Sequence, residues 1–164
     1  MPAVEGFRHN LQSRAARCDL AAQVLHEWGK LSVQVLGASM LPAIWPGDIL
    51  SVDRAEAAEL EPGELVVYAW DGIPVVHRVV ENEAAGLITR GDSVDWNDPP
   101  VSPSQVMGRV VSIRRGGAEF APKRMASRPQ ELLGFLVRRS PRFKGLLLKL
   151  YALLLRPERT SAAA

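Results

Sequence analysis

The sequence has little cysteine and no long hydrophobic run. Its one cysteine among 164 residues, Cys18, cannot form an intramolecular disulfide and excludes a metal centre built from several cysteines. The richest apolar run, residues 146–155, is interrupted by Lys149 and is shorter than the roughly 18–20 residues that span a bilayer. We therefore expect no transmembrane helix and place the chain in the cytoplasm or on a membrane surface.

The chain as a whole also lacks a large excess of positive or negative charge. Lys and Arg number 20 against 18 Asp and Glu, a formal net charge of +2, which is too balanced to predict a nucleic-acid partner. The distribution is uneven, because residues 123–159 hold ten Lys or Arg and two acids. A hydrophobic content of 47% is ordinary for a folded protein, and the length fits one compact domain with short flanking elements.

Regular short strand-like segments punctuated by Gly and Pro predict an all-β sandwich or open barrel. Apolar residues at helical spacing predict one helix before the strands, with Asp19 as its N-cap and Gly29 as its end. Asp71-Gly72 between two apolar runs is the strongest hairpin signal. Strands are predicted at 32–36, 48–53, 64–70, 73–80, 87–90 and 106–113.

We predict three regions from this pattern. Residues 1–17 are expected to form a loose leader, and they lack the charged-then-apolar pattern of a secretion signal. Residues 18–117 are expected to form the β-domain, beginning with a helix over 18–30. For residues 118–164 we expect a basic linker followed by amphipathic helices at about 130–139 and 142–155.

Ser39 and His77 are the first candidates for chemistry. Ser39 follows a predicted strand beside small residues, where a substrate backbone can approach its hydroxyl, but serine needs a base to become a nucleophile. His77 interrupts the apolar strand Val75–Val80 and shares a face with Val75 and Val79. It is either a hydrogen-bonded core histidine or a partly buried base close to Ser39.

The loop from Gly91 to Pro100 supplies three carboxylates, Asp92, Asp95 and Asp98. One of them could orient an imidazole, whereas Asp before Pro is also a common turn former. The spacing lacks the central glycine and terminal glutamate of an EF-hand loop, so we predict no metal.

These residues belong to an ordered set of motifs: Gly37-x-Ser-Met-x-Pro42, Pro46-Gly-Asp48, Pro62-Gly-Glu-Leu-Val-Val-Tyr68, Val76-His-Arg-Val79, Thr89-Arg-Gly-Asp92 with Asp98 beyond it, and Val106-Met-Gly-Arg-Val110. Over residues 33–115 the set resembles the signal peptidase I family. The match is to the archaeal and endoplasmic-reticulum type, whose base is a histidine.

The resemblance implies an open β-barrel or sandwich of the LexA/signal-peptidase-like type and a serine endopeptidase that cleaves after a small residue. It implies Ser39 as nucleophile, His77 as base, Asp98 as the histidine's partner and Asp92 as the residue that orders the loop. It further implies substrate binding by Gly37, Met40 and Pro42, a peptide or preprotein substrate, and no cofactor.

The chain departs from the family in two places. Position 37 is Gly where several relatives carry a serine that assists the oxyanion hole. In addition, relatives have a membrane-spanning helix before the Ser-Met motif, whereas residues 18–30 contain four charged or titratable side chains, Asp19, His26, Glu27 and Lys30.

Two other functions stay open. A self-processing LexA-like regulator would use a Ser–Lys pair, and no lysine lies between Lys30 and Lys123. A non-catalytic binding module on the same fold would present the basic tail to a partner. Residues 130–156 are basic and amphipathic, which predicts either peripheral membrane contact or a helix pair packed on the β-domain.

Overall fold

The computed structural model describes residues 16, 18–83, 86–124, 133, 137 and 139–154. Within them, a helix over residues 18–28 (α1) precedes seven strands and a C-terminal helix. The strands and the second helix are β1 (Lys30–Gln34), β2 (Ile49–Arg54), β3 (Leu65–Trp70), β4 (Ile73–Glu83), β5 (Gly86–Arg90), β6 (Val106–Arg115), β7 (Ala118–Phe120) and α2 (Pro141–Leu154).

All seven strands join one antiparallel sheet. Its order is β1-β2-β6-β3-β4-β5, and β7 pairs with the C-terminal end of β6. The predicted mainly β class, with a helix at each end of the chain, is confirmed. The order places β3, β4 and β5 side by side, and these are the strands that carry most of the polar side chains of the candidate site.

The centre of the sheet is buried on both faces. β3 alternates between two apolar clusters: Leu65 and Val67 pack with α1 and the segment after β1, while Val66 and Tyr68 pack on the opposite face. Burying one such side chain stabilises the fold by about 1.5–3 kcal/mol. This double-sided burial explains why β3 has a nearly continuous apolar sequence.

The hairpin predicted at Asp71-Gly72 is confirmed. Both residues have left-handed backbone conformations, with φ of 48° and 70°, as a tight two-residue β-turn requires. The turn fixes the β3–β4 register, which pairs Trp70 with Ile73 and Val66 with His77. His77 and Tyr68 therefore lie on the same face of the hairpin.

Several predicted boundaries were wrong. Asp19 is not an N-cap, because Cys18 is already helical. β4 continues past Val80 to Glu83, since pairing with β5 and two hydrogen bonds from Asn82 to the carbonyls of Ala57 and Leu60 stabilise its polar end. The short strand β7 was missed, and it extends the sheet past residue 117.

The predicted helix at 142–155 matches α2, whereas the leader and the helix at 130–139 lie almost wholly outside the described residues. Tyr151 of α2 stacks on Trp45, with ring centroids 4.3 Å apart, so α2 contacts the β-domain. Leu146 and Leu150 remain exposed. In the described part of the chain, neither helix combines the length and the apolar character needed to cross a bilayer.

Candidate active site

Ser39 lies on a segment that the fold holds at both ends. Val35 donates its N–H to Asp48 O, and Gly47 donates to Val35 O, which closes the base of the segment. The buried Asp48 carboxylate accepts hydrogen bonds from Trp45 N at 2.8 Å and from the Arg115 guanidinium at 2.8 and 2.6 Å. Leu41 and Ile44 are fully buried beneath it. Ser39 is therefore fixed by its surroundings.

His77 reaches Ser39 from β4. The Ser39 Oγ lies 3.0 Å from His77 Nε2, which is hydrogen-bond distance. The imidazole is largely buried, with its side chain 12% exposed. Ser39 and His77, which are 38 residues apart in the sequence, thus form the pair that serine activation requires.

Asp98 contacts the other side of the imidazole. Its Oδ2 lies 2.6 Å from His77 Nδ1, a short, charge-assisted distance. With the Nδ1 proton directed at the carboxylate, Nε2 is the unprotonated nitrogen and accepts the hydrogen bond of Ser39. The structure therefore brings Ser39, His77 and Asp98 together in one chain of hydrogen bonds.

The loop that carries Asp98 is attached to the serine segment. Ser93 donates its N–H to Ser39 O at 2.8 Å and its hydroxyl to Ala38 O at 3.0 Å. Gly91 passes so close that a Cβ there would lie 2.8 Å from Ser39 O and 3.1 Å from His77 Nε2. Only glycine fits at this contact without a shift of the serine or the imidazole.

Asp92 makes a different contact. Its two carboxylate oxygens accept hydrogen bonds from Nε and a terminal nitrogen of Arg78, at 2.8 and 2.7 Å. The same guanidinium donates to Gly63 O and Lys123 O. Asp92 therefore connects the loop to β4 and to the chain that leaves the sheet.

The predicted substrate-binding residues are not equivalent. Gly37 is exposed beside the serine. Met40 is 3% exposed and packs in the core with Leu25 and Leu50. Pro42 is buried, and its carbonyl accepts a hydrogen bond from Trp45 Nε1. Of the three, Gly37 alone presents its backbone at the surface, and substrate binding by the set stays a prediction.

Two hydroxyl residues at the site were missed in the sequence. Thr89 Oγ1 lies 2.7 Å and the Tyr68 hydroxyl 3.2 Å from Asp98 Oδ2. Thr and Tyr are common strand residues, so their presence in these strands did not indicate a functional role. The hairpin register could have found Tyr68, because it places Tyr68 diagonally opposite His77.

Burial raises the pKa of Tyr68 to about 12, and the charge of Asp98 contributes to the increase. The phenol therefore stays protonated through the neutral and moderately alkaline range. It can act as a hydrogen-bond donor to the carboxylate over this whole range.

A sequence profile of the family described as Peptidase S24-like matches residues 7–111. The match covers well over half of the chain. The chain belongs to the Peptidase S24-like family. Its motifs, with Ser39 and His77 in hydrogen-bond contact, are those that resemble signal peptidase I.

Curated relatives agree with this resemblance. The signal peptidase complex catalytic subunit SEC11 of Colletotrichum graminicola is 45% identical over 73 residues, which is 40% of this chain and 42% of the relative. SEC11 of Pyricularia oryzae is 44% identical over 68 residues, 37% of this chain and 40% of the relative. Human SEC11C is 36% identical over 73 residues, 40% of this chain and 38% of the relative.

The match thus spans about two fifths of the length of these relatives. No solved structure matches the chain significantly. The predicted membership of a signal peptidase I-like family is confirmed.

Proposed function

We propose that this protein is a serine endopeptidase of the signal peptidase type, with Ser39 as nucleophile, His77 as general base and Asp98 as the residue that orients the base. The observation that carries the proposal is the continuous chain of contacts, 2.6 Å from Asp98 to His77 and 3.0 Å from His77 to Ser39. The relatives named as catalytic subunits of a signal peptidase complex support the same reaction class.

The contacts among Ser39, His77 and Asp98 suit the proton transfers of acyl transfer. His77 Nε2 takes the proton of the Ser39 hydroxyl as Oγ attacks the scissile carbonyl, and Asp98 stabilises the imidazolium that forms. The imidazolium then gives the proton to the leaving amine, and a water molecule activated by the same histidine hydrolyses the acyl-enzyme. Asp92 keeps the loop in place through Arg78 and takes no part in proton transfer.

The tetrahedral intermediate needs a donor for its oxyanion. The backbone N–H of Ser39 has no acceptor among the residues that the structure describes, so it is available for this role. Gly37 provides no side-chain hydroxyl as a second donor. We infer that the substrate is a peptide or preprotein, in line with the names of the relatives. A small residue before the cleaved bond is what the resemblance to signal peptidase I implies.

Cleavage of a peptide with an Ala-x-Ala site tests the proposal. Wild type is expected to cleave it and to react with a serine-directed acylating probe, whereas Ser39→Ala and His77→Ala lose cleavage by about 10⁴-fold or more. Ser32→Ala is the matched control, because Ser32 is an exposed serine of β1. It should retain full activity and labelling.

Three outcomes would contradict the proposal. Equal labelling of wild type and Ser39→Ala would exclude Ser39 as the nucleophile. Cleavage confined to this chain itself, detected by mass spectrometry, would favour a self-processing regulator. Binding of the peptide without cleavage by wild type would indicate a non-catalytic module.

We also propose that residues 130–156 contact a membrane surface. Within this range the structure describes helix α2, whose exposed side chains support the proposal. The exposed Leu146 and Leu150 lie one turn apart on one face of the helix, and Lys149 is exposed beside them. Such a face binds anionic membranes through apolar burial and charge.

Leu146→Gln/Leu150→Gln should reduce co-sedimentation with anionic liposomes about tenfold or more. Trp28→Gln, which removes an exposed aromatic side chain of α1, should leave co-sedimentation unchanged. Unchanged sedimentation of the double variant would favour the packed-helix alternative.

A further inference from the structure

One oxygen of Asp98 receives three hydrogen-bond donors. Oδ2 lies 2.6 Å from His77 Nδ1, 2.7 Å from Thr89 Oγ1 and 3.2 Å from the Tyr68 hydroxyl. The motifs that led to the catalytic residues assign no role to Tyr68 or Thr89. Their contact with the residue that orients the base is therefore a feature that the proposed triad does not account for.

The three donors come from adjacent strands on one face of the sheet. Tyr68 is on β3, His77 on β4 and Thr89 on β5. Tyr68 is 2% exposed and Thr89 is fully buried, so neither hydroxyl can use bulk water as a partner. Asp98 is also held by its own backbone, because its N–H donates to Thr89 O at 2.8 Å.

Each hydroxyl has one proton to donate, and the acceptors within reach determine where that proton points. Thr89 has one proton, and the nearest acceptor is Asp98 Oδ2. The proton of His77 Nδ1 is directed at the same oxygen, so this nitrogen, 3.4 Å from the Tyr68 hydroxyl, offers no lone pair to it. Burial keeps the Tyr68 phenol protonated by raising its pKa to about 12. The acceptor left for the Tyr68 proton is Asp98 Oδ2, at 3.2 Å.

We propose that Tyr68 is a positioning residue: its hydroxyl, with that of Thr89, fixes the Asp98 carboxylate so that His77 keeps the Nδ1–H tautomer and aims Nε2 at Ser39. The inference rests on the proposed function of Ser39, His77 and Asp98. A carboxylate with two fixed donors besides the imidazole has one orientation, because rotation about its last bond would break both contacts. Tyr68 acts through Asp98 and touches no reacting atom.

Tyr68→Phe tests the proposal, since it keeps the buried ring and removes one donor. We expect kcat for the peptide substrate to fall about tenfold and KM to stay within about twofold, the pattern of a contact that matters in the transition state only. Tyr151→Phe is the matched control, because Tyr151 stacks on Trp45 away from the triad. It should leave both constants unchanged.

Thr89 supplies a second, independent pair. Thr89→Val keeps the shape and removes the hydroxyl, whereas Thr89→Ser keeps the donor. We expect Thr89→Val to lower kcat and Thr89→Ser to recover most of the loss. A double-mutant cycle completes the test: in the Asp98→Asn background, Tyr68→Phe should have no further effect, because the group through which it acts has changed.

The proton resonance of His77 Nδ1–H in NMR spectra provides a readout that does not need activity. It should shift in Tyr68→Phe and stay in place in Tyr151→Phe. An unchanged resonance, kinetics equal to the Tyr151→Phe control, or a kcat loss that persists in the Asp98→Asn background would each overturn the proposal. If wild type fails to cleave any peptide, the proposed function falls, and the NMR comparison still decides whether Tyr68 positions the pair.

Discussion

Asp92 and Asp98 belong to one loop and have equally exposed side chains, at 17% each, but their surroundings differ. Asp92 receives a guanidinium through both oxygens, whereas Asp98 receives an imidazole and two hydroxyls on a single oxygen. The partners, His77 and Arg78, are neighbours on β4 and point to opposite faces of the sheet. The alternation of one strand thus separates a site suited to proton transfer from one suited to holding a loop.

The largest expected difference between the two carboxylates is in activity. Asp98→Asn should lower kcat by about 10⁴-fold, because an amide no longer fixes the Nδ1–H tautomer of His77. Steady-state cleavage of the peptide substrate measures it, with circular dichroism as the check on folding. A loss of less than about tenfold would mean that Asp98 does not orient the base.

Asp92→Asn should mainly affect stability. It leaves the Arg78 guanidinium, 16% exposed, without its charge partner, which we expect to lower the free energy of unfolding by about 3–5 kcal/mol. Urea denaturation measures this change. The double variant Arg78→Met/Asp92→Leu should recover much of the loss, because removing both charges leaves none buried without a partner. A stable Asp92→Asn protein with an activity loss equal to that of Asp98→Asn would abolish the distinction.

Gly91 lies between the two environments, one residue before Asp92 and in contact with the triad. Gly91→Ala should reduce kcat by about 10²-fold, since the new Cβ pushes Ser39 and His77 apart. Gly145→Ala, in an open position of α2, serves as the control and should retain activity. Equal kinetics of the two variants would show that the close approach of Gly91 does not set the serine geometry.

The smallest effect concerns the buried phenol beside Asp98. The pKa of Tyr68 is about 12 in the folded protein and near 10 in the unfolded chain. The protonated phenol therefore contributes fully to the free energy of unfolding below pH 10, and this contribution is lost as the pH rises towards 12. At pH 11, wild type should lose about 1 kcal/mol more than Tyr68→Phe, relative to pH 8. Urea unfolding at both pH values gives the comparison. Parallel pH dependence of the two proteins would mean that Tyr68 ionises normally.

The sequence by itself determined the local secondary structure and the reactive side chains that are present. Short apolar segments punctuated by Gly and Pro gave the strands, Asp71-Gly72 gave the hairpin and its register, and the ordered motifs indicated Ser39, His77 and the Asp loop. Local patterns sufficed here because turn residues and side-chain periodicity act over a few residues. They failed for the polar end of β4 and for β7, where pairing with a neighbouring strand decides the structure.

The tertiary structure decided which polar groups meet. Antiparallel pairing of β3, β4 and β5 brings Tyr68, His77 and Thr89 to one oxygen of Asp98, and packing places Met40, a predicted substrate contact, in the core. Residue spacing could not assign Asp98 to His77 and Asp92 to Arg78, because both carboxylates lie in the same loop, and only the family resemblance named Asp98 as the partner of His77. That choice depends on which face of β4 each residue occupies, and only the folded sheet fixes it.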